Sequence, residues 1–263
     1  MGRRALSILA VAAACAGVPA AVSAVGSPAP GVVRGARGIA APGGSLRYLT
    51  FPVGRRTVVA AVRIHGGGVV RFRSIAGAYG VPAVAFDGTA GGLAADGRTL
   101  VLARPNVGRP SRFAVLSTQT LRVRRTVRLR GTFSFDAVSP DGRWLYLIEH
   151  LGQPQYRVRV YDLASGRLAR APIADPALRK ARMAGYPAAR ATSADGRWAY
   201  TLYRNGERTG FVHALDTARR AAVCVGLPRP GERLALHGRR LVVTRTDGAR
   251  VAVVDTRRLR LVA

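Results

Sequence analysis

The sequence is short of negative charge, of lysine and of cysteine. Its 263 residues hold 13 Asp and Glu against 42 Lys and Arg, a formal net charge of +29 at pH 7. Lys180 is the only lysine, and the Ala, Gly, Arg and Val bias around it is typical of a GC-rich genome rather than of a site. Such a charge favours contact with anionic envelope polymers or phospholipid surfaces.

Aromatic residues are also scarce, at 6% of the chain. A nucleic-acid binder concentrates its basic residues on one element and interleaves aromatics that stack on bases, whereas arginine is scattered along this whole chain. We therefore expect no nucleic-acid partner.

The motifs of common catalytic and metal sites are absent. The sequence contains no Gly-x-Ser-x-Gly, His-Glu-x-x-His, Cys-x-x-Cys or phosphate-binding Gly-x-x-x-x-Gly-Lys. His65, His150, His213 and His237 lie far apart in sequence, and Cys224 lies in an apolar run typical of a small buried side chain. We expect no cofactor and no metal, and no catalytic residue stands out.

After the first 24 residues no apolar run is long enough to span a bilayer. Arg3 and Arg4 precede the apolar stretch 5–18, and Val22-Ser23-Ala24 has the small-residue pattern of a cleavage site. Residues 1–24 are thus interpreted as a secretory signal peptide, with lipoprotein acylation at Cys15 as the alternative. We expect a secreted or envelope-associated protein and, because only Cys224 is left, no internal disulfide.

An internal repeat dominates the rest of the chain. Residues 93–102, 138–147 and 192–201 are three versions of one motif, built around the turns Asp96-Gly97, Asp141-Gly142 and Asp195-Gly196. An Asp-Gly pair between apolar runs is a strong hairpin signal. Weaker copies centre on Gly54 and Gly238, and the five glycines are spaced by 43, 45, 54 and 42 residues.

A second landmark follows each turn at a nearly constant distance. Asp162 and Asp216 come 20 residues after Gly142 and Gly196, and Asp255 comes 17 after Gly238. Ser74 and Ser117 hold the matching places in the first two copies. Each residue ends an alternating strand, so its side chain is expected to bind the amides of a structural turn.

Spacing in the forties is typical of a four-stranded propeller blade. The sequence therefore predicts an all-β fold, a β-propeller of about five four-stranded blades, with six blades, one of them degenerate, as the alternative. Residues 46–263 form this domain, and 25–45, rich in Gly, Pro and Ala, form a flexible leader. The long fourth spacing contains an insertion at 175–187, where a helical turn is expected at Ala177 to Met183.

The run Ser139-Pro-Asp-Gly-Arg-Trp-Leu-Tyr146, with Tyr161-Asp162 and Ser165-Gly166 after it, resembles the YVTN and TolB-type bacterial β-propeller repeats. The resemblance covers nearly the whole chain after the signal peptide and implies the fold. It implies little about function, since those families include lactonases, quinoprotein-like enzymes and scaffolds.

In a propeller the binding residues lie in loops on one face. The loops opposite the Asp-Gly turns carry the polar and aromatic side chains that we select as candidate binding residues: Asp87, Asp136, Glu149, His150, Tyr186, Arg190, Asn205 and Glu207. Because the chain has only three Glu and ten Asp, and several Asp belong to turns, the acidic residues outside the turns are the stronger candidates.

Three functions fit these observations. The first is a monomeric, extracytoplasmic binding or scaffold module that engages an envelope component or another protein. The second is a lactonase or other hydrolase, which needs acidic or histidine side chains to converge with a metal or a positioned water. The third is a charge-driven binder of anionic envelope polymers, whose affinity falls with added salt.

Overall fold

The structure, a computed structural model, describes residues 29–33, 37–105, 110–177 and 183–262. The predicted signal peptide lies outside these residues. The described part contains no α-helix. Its strands, in chain order, are β1 (Ile39–Ala40), β2 (Leu46–Val53), β3 (Arg56–Arg63), β4 (Val69–Ala76), β5 (Thr99–Ala103), β6 (Ser111–Ser117), β7 (Val123–Leu129), β8 (Phe133–Val138), β9 (Trp144–Gly152), β10 (Gln155–Asp162), β11 (Arg167–Leu168), β12 (Met183–Ala184), β13 (Tyr186–Thr192), β14 (Trp198–Asn205), β15 (Thr209–Asp216), β16 (Ala221–Leu227), β17 (Arg233–His237), β18 (Arg240–Thr244), β19 (Arg250–Asp255) and β20 (Arg260–Leu261).

The strands form five antiparallel sheets that follow one another along the chain. Sheet I is β1–β4, sheet II is β5–β7, sheet III is β8–β11 with β12 added on β10, sheet IV is β13–β16 and sheet V is β17–β20. In sheet II the innermost strand is reduced to a bridge between Leu93 and Leu100. Apart from β12, consecutive strands are neighbours within every sheet, as in the meander of a propeller blade.

The repeated turn has the same hydrogen bonds in successive sheets. Ser139 N–H donates to the Trp144 carbonyl and Gly142 N–H donates to the Ser139 carbonyl, each at 2.9 Å. Gly142 has φ +69°, a conformation that glycine adopts without a Cβ penalty. The Ser193–Trp198 turn repeats both bonds. This turn fixes the register between the first and second strands of the sheet.

The sheets pack face to face through apolar clusters. β5 is buried along its whole length, because its alternate side chains enter two different clusters. One apolar cluster joins each pair of successive sheets. Sheets I and II meet through Val59, Leu100 and Leu102, and sheets II and III through Val101, Phe113 and Phe135. Sheets III and IV meet through Tyr146, Val158 and Tyr203, and sheets IV and V through Leu202, Val212 and Leu241. The fold is a β-propeller of about five blades, as the repeat predicts.

Sheets I and V stand at the two ends of this series. In the described residues, no apolar cluster, hydrogen bond or ion pair links one to the other. The face of sheet I that turns away from sheet II carries Phe51, 40% exposed, and Phe72, 70% exposed. Arg71 and Arg73, next to Phe72 on β4, point the other way and donate to the carbonyls of residues 118–120 in sheet II.

The structure corrects the first copy of the repeat. The Gly54 hairpin joins β2 to β3, the second and third strands of sheet I, and not the first to the second. The turn equivalent to Ser139–Trp144 is Ala41–Leu46, where Ala41 N–H donates to the Leu46 carbonyl and Gly44 N–H to the Ala41 carbonyl. Ser74 accordingly lies in the outermost strand, β4, and ends no third strand.

Parts of the predicted leader and insertion have defined places. Within 25–45, β1 pairs with β2, and Val32 bridges Pro82. The helical turn expected at Ala177 to Met183 is wrong at its far end, because Met183 lies in β12, paired with Tyr156 of β10. Residues 178–182 lie outside the described part. The insertion thus adds a strand to sheet III.

The connection from sheet I to sheet II contacts sheet IV. Phe86 N–H donates to the Pro187 carbonyl at 2.9 Å and Asp87 N–H donates to the Ala188 carbonyl at 3.1 Å. Residues 86–87 therefore pair with the first strand of sheet IV. This contact holds the inner end of β13 in place.

Candidate functional site

A cavity of about 490 Å³ opens between sheets III and IV, at the face opposite the repeated turns. Its walls are the start of β8, the β9–β10 hairpin and the start of β13. Val84, in the connection between β4 and β5, lines it as well. Cavities of this size hold small molecules in other proteins. The polar and aromatic side chains that line it are Thr132, Ser134, Phe135, Asp136, Glu149, His150, Gln153, Gln155, Tyr156, Tyr186 and Tyr203.

Stacked aromatic rings form the floor of the cavity. The ring centroids of Tyr156 and Tyr203 lie 4.8 Å apart, and Phe211 continues the stack at 5.2 Å from Tyr203. Burial raises the pKa of the Tyr156 and Tyr203 hydroxyls. Both stay neutral, so the floor carries no charge, and the two tyrosines are 3% and 2% exposed.

Asp136 and Arg190 form a buried ion pair beside this floor. Arg190 Nη2 donates to Asp136 Oδ1, and each side chain is 3% exposed. Asp136 is the bulged residue of β8, where the register with β9 shifts between Phe135 and Ala137. The bulge turns its carboxylate toward sheet IV. Within the described residues, Oδ2 of Asp136 is buried and has no hydrogen-bond partner. Asp136 is one of the residues that line the cavity.

Glu149 lies on another wall, held by two arginines. Arg157 Nε donates to its Oε2 at 2.6 Å and Arg159 Nη1 donates to the same oxygen at 2.5 Å. Burial alone would raise the pKa of Glu149, but these hydrogen bonds outweigh it and hold the pKa below its usual range. The carboxylate stays charged and is committed to the arginines.

Ser134 and His150 form a hydrogen-bonded pair on the same wall. Ser134 Oγ lies 2.9 Å from His150 Nε2, across the β8–β9 pair. Desolvation lowers the pKa of His150 to about 4. The imidazole is therefore neutral at pH 7, and its low basicity makes it a weak proton acceptor.

The structure brings together about half of the candidate binding residues. Asp136, Glu149, His150 and Tyr186 line the cavity, and Arg190 reaches it through Asp136. Asp87 does not line the cavity; it accepts the N–H and hydroxyl of Thr89 within its own turn, at 2.8 and 2.7 Å, and its Oδ2 accepts the backbone N–H of Arg190 at 3.4 Å. Asn205 and Glu207 lie at the β14–β15 hairpin and do not line the cavity.

Seven of the eleven polar and aromatic lining residues were not selected from the sequence, among them Ser134, Tyr156 and Tyr203. Ser134 lies in a strand and gives no motif, while Tyr156 and Tyr203 have the spacing of ordinary core residues. The one usable signal is position, since Tyr156 follows the β9–β10 hairpin that carries Glu149 and His150.

The aspartates assigned to turns lie away from the cavity and bind backbone amides. Asp96, Asp141 and Asp195 each accept the N–H of the residue two further on, at 2.8, 3.0 and 3.1 Å. Asp162, Asp216 and Asp255 accept amides of the turns that follow their strands. Asp216 also pairs with Arg197 at 2.6 Å.

In the described ranges no group of three His, Cys, Asp or Glu side chains is placed to hold a metal ion. The same ranges contain no helix with the length and hydropathy needed to cross a bilayer.

No protein-family model matches the chain, and no curated protein matches it. Several solved structures share its fold at low identity. Hydrazine synthase of Kuenenia stuttgartiensis is 23% identical over 65% of this chain and 46% of its own, with a TM-score of 0.45. The β-propeller domain of Cps50 (Swd1) from Myceliophteria thermophila is 16% identical over 84% and 64%, with a TM-score of 0.49. TolB of Acinetobacter baumannii is 13% identical over 73% and 43%, with a TM-score of 0.44. The chain spans less than two thirds of each of these, and the likeness concerns the fold alone.

Proposed function

We propose that the protein is an extracytoplasmic binding module that holds a small ligand in the cavity between sheets III and IV. The observation that carries this proposal is the buried Oδ2 of Asp136, which has no hydrogen-bond partner among the described residues and belongs to a residue that lines the cavity with Tyr156 and Tyr203. A buried acceptor without a partner is unfavourable, and a ligand that donates to it removes that cost. The extracytoplasmic location rests on the composition of residues 1–24.

The lining defines the chemistry of the ligand. The Asp136 charge is already balanced by Arg190, so a neutral donor such as a hydroxyl fits Oδ2 better than a second cation. The Tyr156–Tyr203 stack favours a flat apolar face on the same molecule. A small hydroxylated compound with one apolar face meets both requirements.

The shift of the thermal midpoint tests this proposal. We expect benzyl alcohol, phenyl glucoside or inositol to raise the midpoint, while analogues with methylated hydroxyls do not, because ligand binding to the folded state stabilises it. Tyr186→Ala at the exposed rim and Asp136→Asn should reduce the effect. Asn205→Ala, outside the cavity, is the matched control.

Equal shifts from hydroxylated and methylated compounds would argue against the role of Asp136. Shifts that survive Tyr186→Ala unchanged would place binding elsewhere on the propeller. No shift with any compound of this class would count against a small-ligand site altogether.

A hydrolase is the second candidate, favoured by the Ser134–His150 hydrogen bond. A serine activated by a neighbouring histidine is the usual nucleophile of ester and lactone hydrolysis. Two observations argue against a hydrolase. The lowered pKa of His150 makes it a weak proton acceptor, and Glu149 is bound by Arg157 and Arg159. Hydrolysis of a lactone or nitrophenyl ester that is abolished by Ser134→Ala would favour this candidate over simple binding.

Charge-driven association with anionic envelope polymers is a third activity that the net charge of +29 supports. Its signature is a steep loss of affinity with added salt. Cavity binding of a neutral ligand should not depend on salt, so parallel measurements at low and high ionic strength separate the two.

A further inference from the structure

A histidine, a cysteine and a methionine meet behind the aromatic floor. His213 on β15 and Cys224 on β16 are directly opposed in the strand register, with Nδ1 and Sγ 3.5 Å apart. Met183 reaches them from β12 of sheet III, its Sδ 3.7 Å from Cys224 Sγ. Three elements from two sheets therefore bring one imidazole nitrogen and two sulphur atoms together.

The histidine of this cluster is buried without full hydrogen bonding. His213 is 2% exposed, and its Nε2 has no hydrogen-bond partner among the residues that the structure describes. Tyr203 packs edge-on against the ring, with centroids 6.4 Å apart, and the Tyr156 hydroxyl lies 3.8 Å from Met183 Sδ. The tyrosines thus restrict the orientation of two of the three side chains.

A carboxylate lies next to the thiol. Asp175 Oδ2 accepts the backbone N–H of Cys224 at 2.7 Å, and the Asp175 residue is 6% exposed. Burial and the negative charge of Asp175 raise the pKa of the Cys224 thiol to about 12. A cation bound to the sulphur would interact favourably with both the thiolate and this carboxylate.

The separations match those around a bound metal. A metal with sulphur at about 2.3 Å and imidazole nitrogen at about 2.0–2.1 Å, at tetrahedral to trigonal angles, separates its ligand atoms by roughly 3.5–4.0 Å. Both measured separations, 3.5 and 3.7 Å, lie in that interval. Thiolate and thioether sulphur are soft ligands that select Cu(I) over harder cations.

We propose that His213, Cys224 and Met183 form a binding site for one Cu(I) ion. The thiol proton is released to solvent when the copper–sulphur bond forms, and the oxidation state of copper does not change. Cys224 and Met183 are only partly buried, which leaves a route from the surface. This proposal departs from the expectation drawn from the sequence, which treated Cys224 as a small apolar side chain and gave Met183 no role.

Anaerobic competition between the reduced full-length protein and bicinchoninate for Cu(I) tests the site. The background variant Cys15→Ser removes the other cysteine and serves as the matched control, since it should keep one tightly held copper per chain. Cys224→Ser should lose more than the roughly 10–100-fold that removal of an outer-shell partner costs. His213→Gln and Met183→Leu should each weaken binding, while His237→Gln at an exposed position should not.

X-ray absorption of the copper-loaded Cys15→Ser protein gives a readout that depends on no core substitution. We expect two sulphur scatterers and one nitrogen scatterer. A spectrum with only nitrogen and oxygen scatterers would overturn the proposal, as would affinity that survives Cys224→Ser. If no copper is retained against bicinchoninate, the cluster is an S–H···N hydrogen bond with packed sulphur, and the proposal is wrong.

Discussion

His213 is buried and His150 half-buried, and desolvation lowers the pKa of each imidazole to about 4 from the usual 6.5. The folded chain therefore keeps both rings neutral at pH values where the unfolded chain has already taken up protons. Between those two limits the unfolded state binds more protons than the folded state, so acid favours unfolding.

We accordingly predict that the contribution of these histidines to the free energy of unfolding is constant between about pH 6.5 and 8 and falls as the pH drops from about 6.5 to 4. The loss amounts to at most about 3 kcal/mol for each histidine. Urea denaturation at pH 7, 5.5 and 4 measures it. His150→Gln should flatten the dependence and His237→Gln should not, whereas a stability that does not change over this range would contradict the burial of neutral rings.

Some residues of the cavity could be predicted individually from the sequence, and others could not. Asp136, Glu149 and His150 could be selected because acidic and histidine side chains are scarce and stand outside the turns. The ion pair of Asp136 with Arg190 could not, because its partners lie on different sheets, 54 residues apart, and a β-bulge sets the direction of Asp136. Ser134, Tyr156 and Tyr203 carry no local signal that separates them from core residues.

Hairpins were the elements that the sequence predicted best. The Asp-Gly turns at 141–142 and 195–196 form the predicted hairpins because the glycine conformation and the aspartate hydrogen bonds are local properties. The first copy was misplaced because both Gly44 and Gly54 have positive φ and both precede apolar strands. Only strand pairing distinguishes the two turns.

Replacement by alanine should reduce the free energy of unfolding by different amounts at two of the turn glycines. Gly142 and Gly238 both have positive φ, but a Cβ at Gly142 would lie 2.8 Å from Thr99 Cβ of the neighbouring sheet, whereas one at Gly238 would meet nothing within 4 Å. Gly238→Ala should therefore cost only the backbone strain, about 1 kcal/mol. Gly142→Ala should cost about 2–3 kcal/mol, because overpacking adds to that strain.

Chemical denaturation of both variants under one set of conditions measures this difference. Equal losses of stability would mean that sheets II and III adjust to the extra methyl group, and that the hairpin is not part of the contact between them.

At the scale of the whole molecule, sheets II, III and IV are covered on both faces and sheets I and V on one. The regular spacing of the repeat predicted about five blades. It could not predict how the two ends relate, because that depends on which apolar side chains of the first and last sheets meet a partner. Nothing in the sequence around Phe51 and Phe72 shows that their face of sheet I is left uncovered.

The cost of a substitution in free energy of unfolding should depend on whether the residue lies on a covered or an uncovered sheet face. Leu102→Ala, in the cluster between sheets I and II, should cost about 2–5 kcal/mol because it leaves a cavity in a fully buried site. Phe72→Ala, 70% exposed, should change the free energy of unfolding by no more than about 0.5 kcal/mol. Guanidinium denaturation compares the two, and a large cost for Phe72→Ala would show that its face is covered in solution.

The pairing of residues 86–87 with Pro187 and Ala188 makes an early part of the chain depend on a late one. Synthesis proceeds from the amino terminus, so this segment leaves the ribosome about a hundred residues before its partner strand. Contacts of such long sequence separation form late, since the intervening loop must close first. The segment at 86–87 therefore lacks its hydrogen-bond acceptors until the fourth sheet has been synthesised.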